Sequence, residues 1–425
     1  MLHFYLVLLI NYLFYKYLKE KDFYITSVIL LNLCNLILFK YFYFISELIG
    51  LSFGIQALTE KPQLDILISK ALGLPGFEIA LPATISYYSF QLISFAFDLK
   101  NGKILQKVNL ANFFVYSLFF PIMIAGPILR YNDFLSQFEY LDIDRQKMFD
   151  GIYLLLSGIF KKMVLSDGLT SIIYPVFGDP SQYSGSALLY TTYFFGLHLY
   201  LDFSGLTDLA RGLAMLLGFT LPLNFKAPFF MTGFGDFWRR WHLTFSFWIR
   251  DYIYIPLGGS KKGEFRTTLN FIATFTLGGL WHGANLNFAL WGMINGTYVA
   301  LERLLEVKNI KIIPDFKYKP IFYYLFVLHM DIITWILFFT KDISTAFTVI
   351  TKILTLKEGS SLAYLESGIY TGVFVLIFHI FEEYPEKIRI STKFKNSLVP
   401  ILSILIYLFI ISKGGSNIDF YYTKF

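Results

Sequence analysis

Apolar runs recur from one end of this chain to the other, and no long polar stretch separates them. Residues 23–45, 79–97 and 320–339 come close to the roughly 20 apolar residues a helix needs to cross a hydrocarbon core. Inside that core the backbone must satisfy its own hydrogen bonds, which favours helices for continuous apolar runs. The chain has 425 residues, 56% hydrophobic and only 16% charged, with a mean hydropathy of +0.55. A soluble domain carries about 25% charged residues. The expectation is an all-α integral membrane protein, one polytopic domain over residues 1–425, with about 10–12 transmembrane or re-entrant helices. Several runs, among them 151–164, 269–280 and 346–354, are too short to cross alone, which predicts tilted or re-entrant helices buried in protein.

The net charge of +6 is dispersed among apolar runs. That places it in loops at the cytoplasmic membrane face and argues against nucleic-acid binding. The single cysteine, Cys34, excludes an internal disulfide and a cysteine metal cluster. Residues 2–13 are apolar and are followed by Lys16, Lys19 and Lys21. A cleavable signal peptide has the opposite order, so this segment reads as a first membrane helix with its N-terminus outside.

One stretch concentrates polar chemistry. It opens with Gly235-Asp236-Phe237-Trp238-Arg239-Arg240-Trp241-His242 and closes with Gly278-Gly279-Leu280-Trp281-His282-Gly283. Arg250, Asp251, Lys261, Lys262, Glu264 and Arg266 lie between the two Trp-His pairs. Ionisable residues at membrane depth mark sites or pathways. Residues 234–250 can be drawn as one helix, with Phe234, Trp238, Trp241, Phe245 and Trp248 on one face and Arg239, His242, Ser246 and Arg250 on another. Residues 257–263 read as a flexible basic turn able to meet phosphates; they lack the spacing of a P-loop.

A neutral imidazole can take a proton from a hydroxyl and return it to a leaving thiolate. His282 sits among glycines after an uncharged run, and Asn285, about one turn on, can orient its ring. His198, His329 and His379 read as packing residues or partners in single helix–helix hydrogen bonds. Glu382, Glu383 and Glu386 read as an interfacial acidic group. A metal site needs three or more convergent ligands, which this pattern does not offer. Asp202 and Asp208 face a cavity, pair with Arg211, or cap a helix end.

Taken in order, five segments carry a family resemblance: Asp202-Phe203-Ser204-Gly205 with Asp208; Leu221-Pro222-Leu223-Asn224-Phe225; Asp236–His242; Arg250-Asp251-Tyr252-Ile253-Tyr254-Ile255-Pro256-Leu257-Gly258-Gly259; and Leu277–Ala284. Over about residues 80–305 the chain resembles the membrane-bound O-acyltransferase family, in its bacterial polysaccharide O-acetylation branch. The resemblance implies a ring of helices around a thin centre with a funnel on each face. It implies His282 as the catalytic residue and His242 as its partner. It also implies a multi-pass protein of the bacterial cytoplasmic membrane, which moves an acyl group, acetyl in the first instance, from a cytoplasmic thioester towards a hydroxyl of a cell-surface polysaccharide.

No bound cofactor is expected. The acyl thioester, acetyl-CoA or the phosphopantetheine of an acyl carrier protein, is a co-substrate. Arg239, Arg240, Lys261, Lys262, Trp281 and Asn285 are the candidate donor-binding residues. Membrane lipids, a secreted or periplasmic acyltransferase partner and an acyl carrier protein are the expected partners. Two other readings stand beside this one: a D-alanyl transfer protein of teichoic-acid modification, and a transporter whose histidines and arginines line a permeation path.

Overall fold

The structure, a computed structural model, describes residues 2–412 except 75, 77, 83, 106, 124, 142–143, 312–315 and 385–391. Secondary structure among them is helical, apart from one isolated bridge between Tyr183 and Ser360. Three described helices are long and apolar enough to cross a membrane: Tyr24–Phe53, Lys319–Phe339 and Leu365–Glu383. Apolar helices of lesser length include Leu110–Ile122 and Ile343–Leu354. Chain contacts divide the molecule into two compact units, one of residues 1–124 and 128–140 and one of residues 125–127 and 141–425.

In the first unit, Leu2–Leu18, Tyr24–Leu36 and Ile85–Lys100 are helices. Tyr24, Val28 and Ala96 form a small core. Polar side chains join these helices where water is excluded. His3 Nε2 lies 2.8 Å from Asn35 Oδ1, Asn35 donates to Tyr88 Oη at 2.9 Å, and Asn32 donates to Asn11 Oδ1 at 3.0 Å. Such contacts hold apolar helices together where the hydrophobic effect offers little.

The second unit is built on the 32-residue helix Gly185–Leu216. Ser184 starts it by accepting a hydrogen bond from the Ala187 amide at 3.2 Å. Glycines let it approach the helix Arg145–Ile159 closely. A Cβ on Gly158 would come within 2.6 Å of the Gly205 carbonyl oxygen, and one on Gly212 within 2.7 Å of that of Gly151. Gly279 and Gly292 do the same for Glu264–His282 and Leu286–Val307, where a Cβ would run into the carbonyls of Phe288 and Phe275 respectively. Small residues at such crossings are how membrane helices gain dispersion contacts.

Several buried charges in this unit are paired. Lys161 lies 2.9 Å from Asp208, and Lys162 lies 2.7 Å from Asp202 and 2.6 Å from Asp167. Asp208 also faces Arg211 at 3.7 Å. Asp202 and Asp208 therefore meet lysines of another element, and Asp208 also meets the arginine one turn along its own helix. Glu382 and Glu383 are half-buried and each has a partner, while Glu386 lies outside the described residues. Glu382 accepts from Tyr200 Oη at 2.6 Å and from the Ala227 amide at 2.7 Å, and Glu383 takes Arg240 at 2.6 Å. His198 meets Ser166 Oγ at 2.9 Å, and His379 Nε2 accepts from the Phe229 amide at 3.1 Å, as packing residues would.

Candidate functional site

The stretch around His242 is not one helix. It forms two short ones, Phe234–Trp238 and Leu243–Ile249, with His242 between them at φ 44° and ψ 53°. A non-glycine residue in the left-handed region costs about 1–3 kcal/mol and persists where its surroundings over-determine it. Here they do. The Leu243 amide donates to the Asn224 carbonyl at 2.9 Å, and the Lys226 amide to the Arg240 carbonyl at 2.9 Å. Asn224 Oδ1 then accepts from the Thr244 amide at 3.2 Å and from Thr244 Oγ1 at 2.9 Å. The helical aromatic pattern survives the break because each half keeps its own aromatic face.

The break aims His242 into the core. Only 1% of it is exposed. Its Nδ1 lies 3.1 Å from Asn224 Oδ1. Its ring meets Phe203 edge-on at 4.5 Å and lies 4.9 Å from Phe245. Nε2 is buried and has no hydrogen-bond partner among the described residues.

His282 reaches the same place from another direction. It is the last residue of the helix Glu264–His282, and Gly283 leaves it in extended backbone. The ring is buried among Trp281 at 4.9 Å, Trp291 at 5.4 Å, Phe338 at 5.3 Å and Phe245 at 5.6 Å. Both histidines thus touch Phe245 and Trp281, and Phe245 stacks on Trp281 at 4.7 Å. They stand within electrostatic reach of each other. The structure brings together His242, His282 and Trp281, three of the residues selected from sequence.

The other candidates are placed differently. Arg239 is exposed, with Asp236 at 3.6 Å. Lys261 and Lys262 are exposed in a turn pinned by Asn270, which donates to the Gly259 carbonyl at 2.9 Å. That turn is held in place, where the sequence suggested a flexible one. Arg240 faces inward, 2.9 Å from Asp236 and 2.6 Å from Glu383. Burial raises the Asp236 carboxyl, yet the Thr232 amide and Arg240 together hold it below the usual carboxylate range. Asn285 does not share a helix with His282. It caps the next helix, accepting from the Asn287 amide at 2.8 Å and donating to the Lys341 carbonyl at 3.2 Å.

Sequence reasoning gave no role to Asn224, Phe245, Trp291 or Phe338. Asn224 stood in a quoted motif, but its partner is distant in the chain. Among the described residues no group of three histidine, cysteine or acidic side chains could hold a metal ion. Two histidines in a dry aromatic enclosure can exchange a proton with a bound hydroxyl or thiolate and exclude water while they do so.

Residues 13–340 match the family model described as MBOAT, membrane-bound O-acyltransferase family. The chain is 37% identical over 290 residues to the probable alginate O-acetylase AlgI of Azotobacter vinelandii, covering 67% of this chain and 54% of the relative. It is 30% identical over 316 residues to the peptidoglycan O-acetyltransferase of Helicobacter pylori, covering 68% and 59%. With the teichoic acid D-alanyltransferase of Bacillus subtilis it shares 27% over 243 residues, covering 53% and 60%. The chain thus spans between half and two thirds of the length of these relatives.

Proposed function

The chain belongs to the membrane-bound O-acyltransferase family, and from that premise we propose that it is an O-acyltransferase that moves an acyl group, acetyl in the first instance, from a cytoplasmic thioester to a hydroxyl of a cell-surface polysaccharide. The observation that carries this reading is the convergence of His242 and His282 on Phe245 and Trp281. Relatives named for O-acetylation of alginate and peptidoglycan support the acetyl group and the polysaccharide acceptor.

In the proposed reaction His282 takes the proton of the acceptor hydroxyl as its oxygen attacks the thioester carbonyl. The carbon–sulfur bond breaks, and the thiolate regains the proton. His242 either polarises the carbonyl or shuttles the proton. General base catalysis supplies about 10²–10⁴-fold; positioning in the dry enclosure supplies much of the rest. Arg239, Lys261 and Lys262 meet the phosphates of the donor, whether acetyl-CoA or a phosphopantetheine carrier. Arg240, held by two carboxylates, orders the segment that bears His242.

Around this centre the proposal places a ring of helices with a funnel on each face, in the bacterial cytoplasmic membrane. A secreted or periplasmic partner completes transfer to the polysaccharide. The test is turnover of radiolabelled acetyl-CoA by the reconstituted protein. Dependence on a D-alanylated carrier protein in place of acetyl-CoA would move the assignment to the D-alanyl transfer branch. Solute flux that persists after His282→Ala would move it to a transporter.

A further inference from the structure

The structure assigns Asn224 as a positioning residue that fixes His242 as the Nδ1–H tautomer and leaves its Nε2 as a bare proton acceptor. This rests on the acyl-transfer reading for its chemical consequence, but not for the tautomer itself.

The partners of the Asn224 amide fix which way round it lies. An amide's oxygen and nitrogen are told apart by their partners. The Thr244 main-chain amide can only donate, and it lies 3.2 Å from one amide atom of Asn224. That atom must be the oxygen. The same oxygen faces His242 Nδ1 at 3.1 Å. A carbonyl oxygen offers lone pairs and no proton, so Nδ1 carries the hydrogen. In a neutral imidazole the other nitrogen then carries a lone pair. Nε2 is that nitrogen, buried and unpartnered among the described residues. Its surroundings are the rings of Phe203, Phe245 and Trp281, at centroid distances of 4.5, 4.9 and 6.1 Å.

This decides between the two roles open to His242. Polarising the thioester carbonyl requires an N–H aimed at its oxygen, which neutral His242 lacks at Nε2. Accepting and returning a proton requires the lone pair that Nε2 has. As the acceptor oxygen bonds to the carbonyl carbon, the hydroxyl proton passes to the histidine pair, with Nε2 of His242 as a resting place. As the carbon–sulfur bond breaks, the electron pair leaves on sulfur and the proton follows it. Both rings return to neutral, and no oxidant or reductant is needed.

The test is ¹⁵N solid-state NMR of histidine-labelled protein in liposomes, with His242 assigned by loss of its signal in His242→Gln. The wild type should show a protonated Nδ1 and an unprotonated Nε2 at neutral pH. Asn224→Asp keeps an acceptor oxygen and should keep that tautomer. Asn224→Ala removes it and should give mixed tautomers. Kinetics with varied thioester donor supply the second readout. Asn224→Ala should lower kcat by about ten- to a hundredfold, the scale seen when an outer hydrogen bond to a metal-bound histidine is lost, with donor KM unchanged and substantial recovery in Asn224→Asp. A protonated Nε2 on neutral His242 in the wild type would overturn the assignment, and so would an unaltered His242 spectrum in Asn224→Ala. The expected spectra in a protein that transfers no acyl group would leave the tautomer standing and remove the acyltransferase reading alone.

Discussion

Arg240 closes on Glu383 at 2.6 Å, while Arg239 beside it is 70% exposed at its side chain. Adjacent arginines in one motif therefore do different work. Arg240→Gln would take the close cation from Glu383 and from Asp236, and removing one partner of a half-buried pair costs more than the pair's net worth. The expected outcome is lower thermal stability in detergent, with donor KM unchanged in the protein that remains folded.

Arg239, Lys261 and Lys262 should behave in the opposite way. Lys261 and Lys262 are exposed, and Arg239 reaches Asp236 at 3.6 Å from a side chain that is itself exposed. Charge-assisted contacts to phosphate contribute about 1.5–3 kcal/mol, so Lys262→Gln or Arg239→Gln should raise donor KM about ten- to a hundredfold with kcat retained. Unchanged KM in both variants would remove these residues from donor binding and leave the histidines untouched.

Asp236 links the same region to pH. Its carboxyl is held below the usual range in the folded chain. A depressed carboxylate contributes stability that is present above its unfolded pKa and is lost as pH falls through the folded one. Melting temperature should therefore fall on acidification below the ordinary aspartate range, and Asp236→Asn should flatten that part of the curve. An identical acid limb in both proteins would contradict the assignment.

Helix contacts behind His282 make a prediction with two signs. A Cβ on Gly279 would meet the Phe288 carbonyl oxygen, part of a backbone that cannot swing aside. Gly279→Ala should destabilise by about 1–3 kcal/mol, the cost of overpacking, and should lower activity by displacing His282. Gly168 lies in a helix with nothing near a new Cβ. Gly168→Ala should be neutral or stabilising by about 0.5–1 kcal/mol. Thermal melts of the two variants check this.

Part of the site was legible because the two Trp-His pairs stand out in an apolar chain: both histidines and Trp281 converge on Phe245, while Trp241 packs against Phe237 and Trp335. The break at His242 was not. No proline or glycine marks it, and the aromatic spacing reads as helix on either side. What turns the chain there is Asn224, whose carbonyl and side chain receive the Leu243 and Thr244 amides. That contact is long-range and leaves no local trace. Asn285 misled for a related reason. Helical spacing placed it near His282, but Gly283 ends the helix and Asn285 starts the next. Nothing local marks the partners of Lys161 and Lys162 either, since Asp208 and Asp202 lie on another helix. The acidic residues Glu382 and Glu383 read as an interfacial group, and their partners Tyr200, Ala227 and Arg240 are equally distant in sequence.

The central claim is that the buried histidine pair transfers acyl groups. The most direct measurement is mass spectrometry of cell-surface polysaccharide from cells carrying the wild type or His282→Ala, with membrane levels of the two proteins matched. The account predicts ester-linked acyl groups with the wild type and their loss, to the level of cells lacking the protein, with His282→Ala. Equal acylation in the two strains would contradict it.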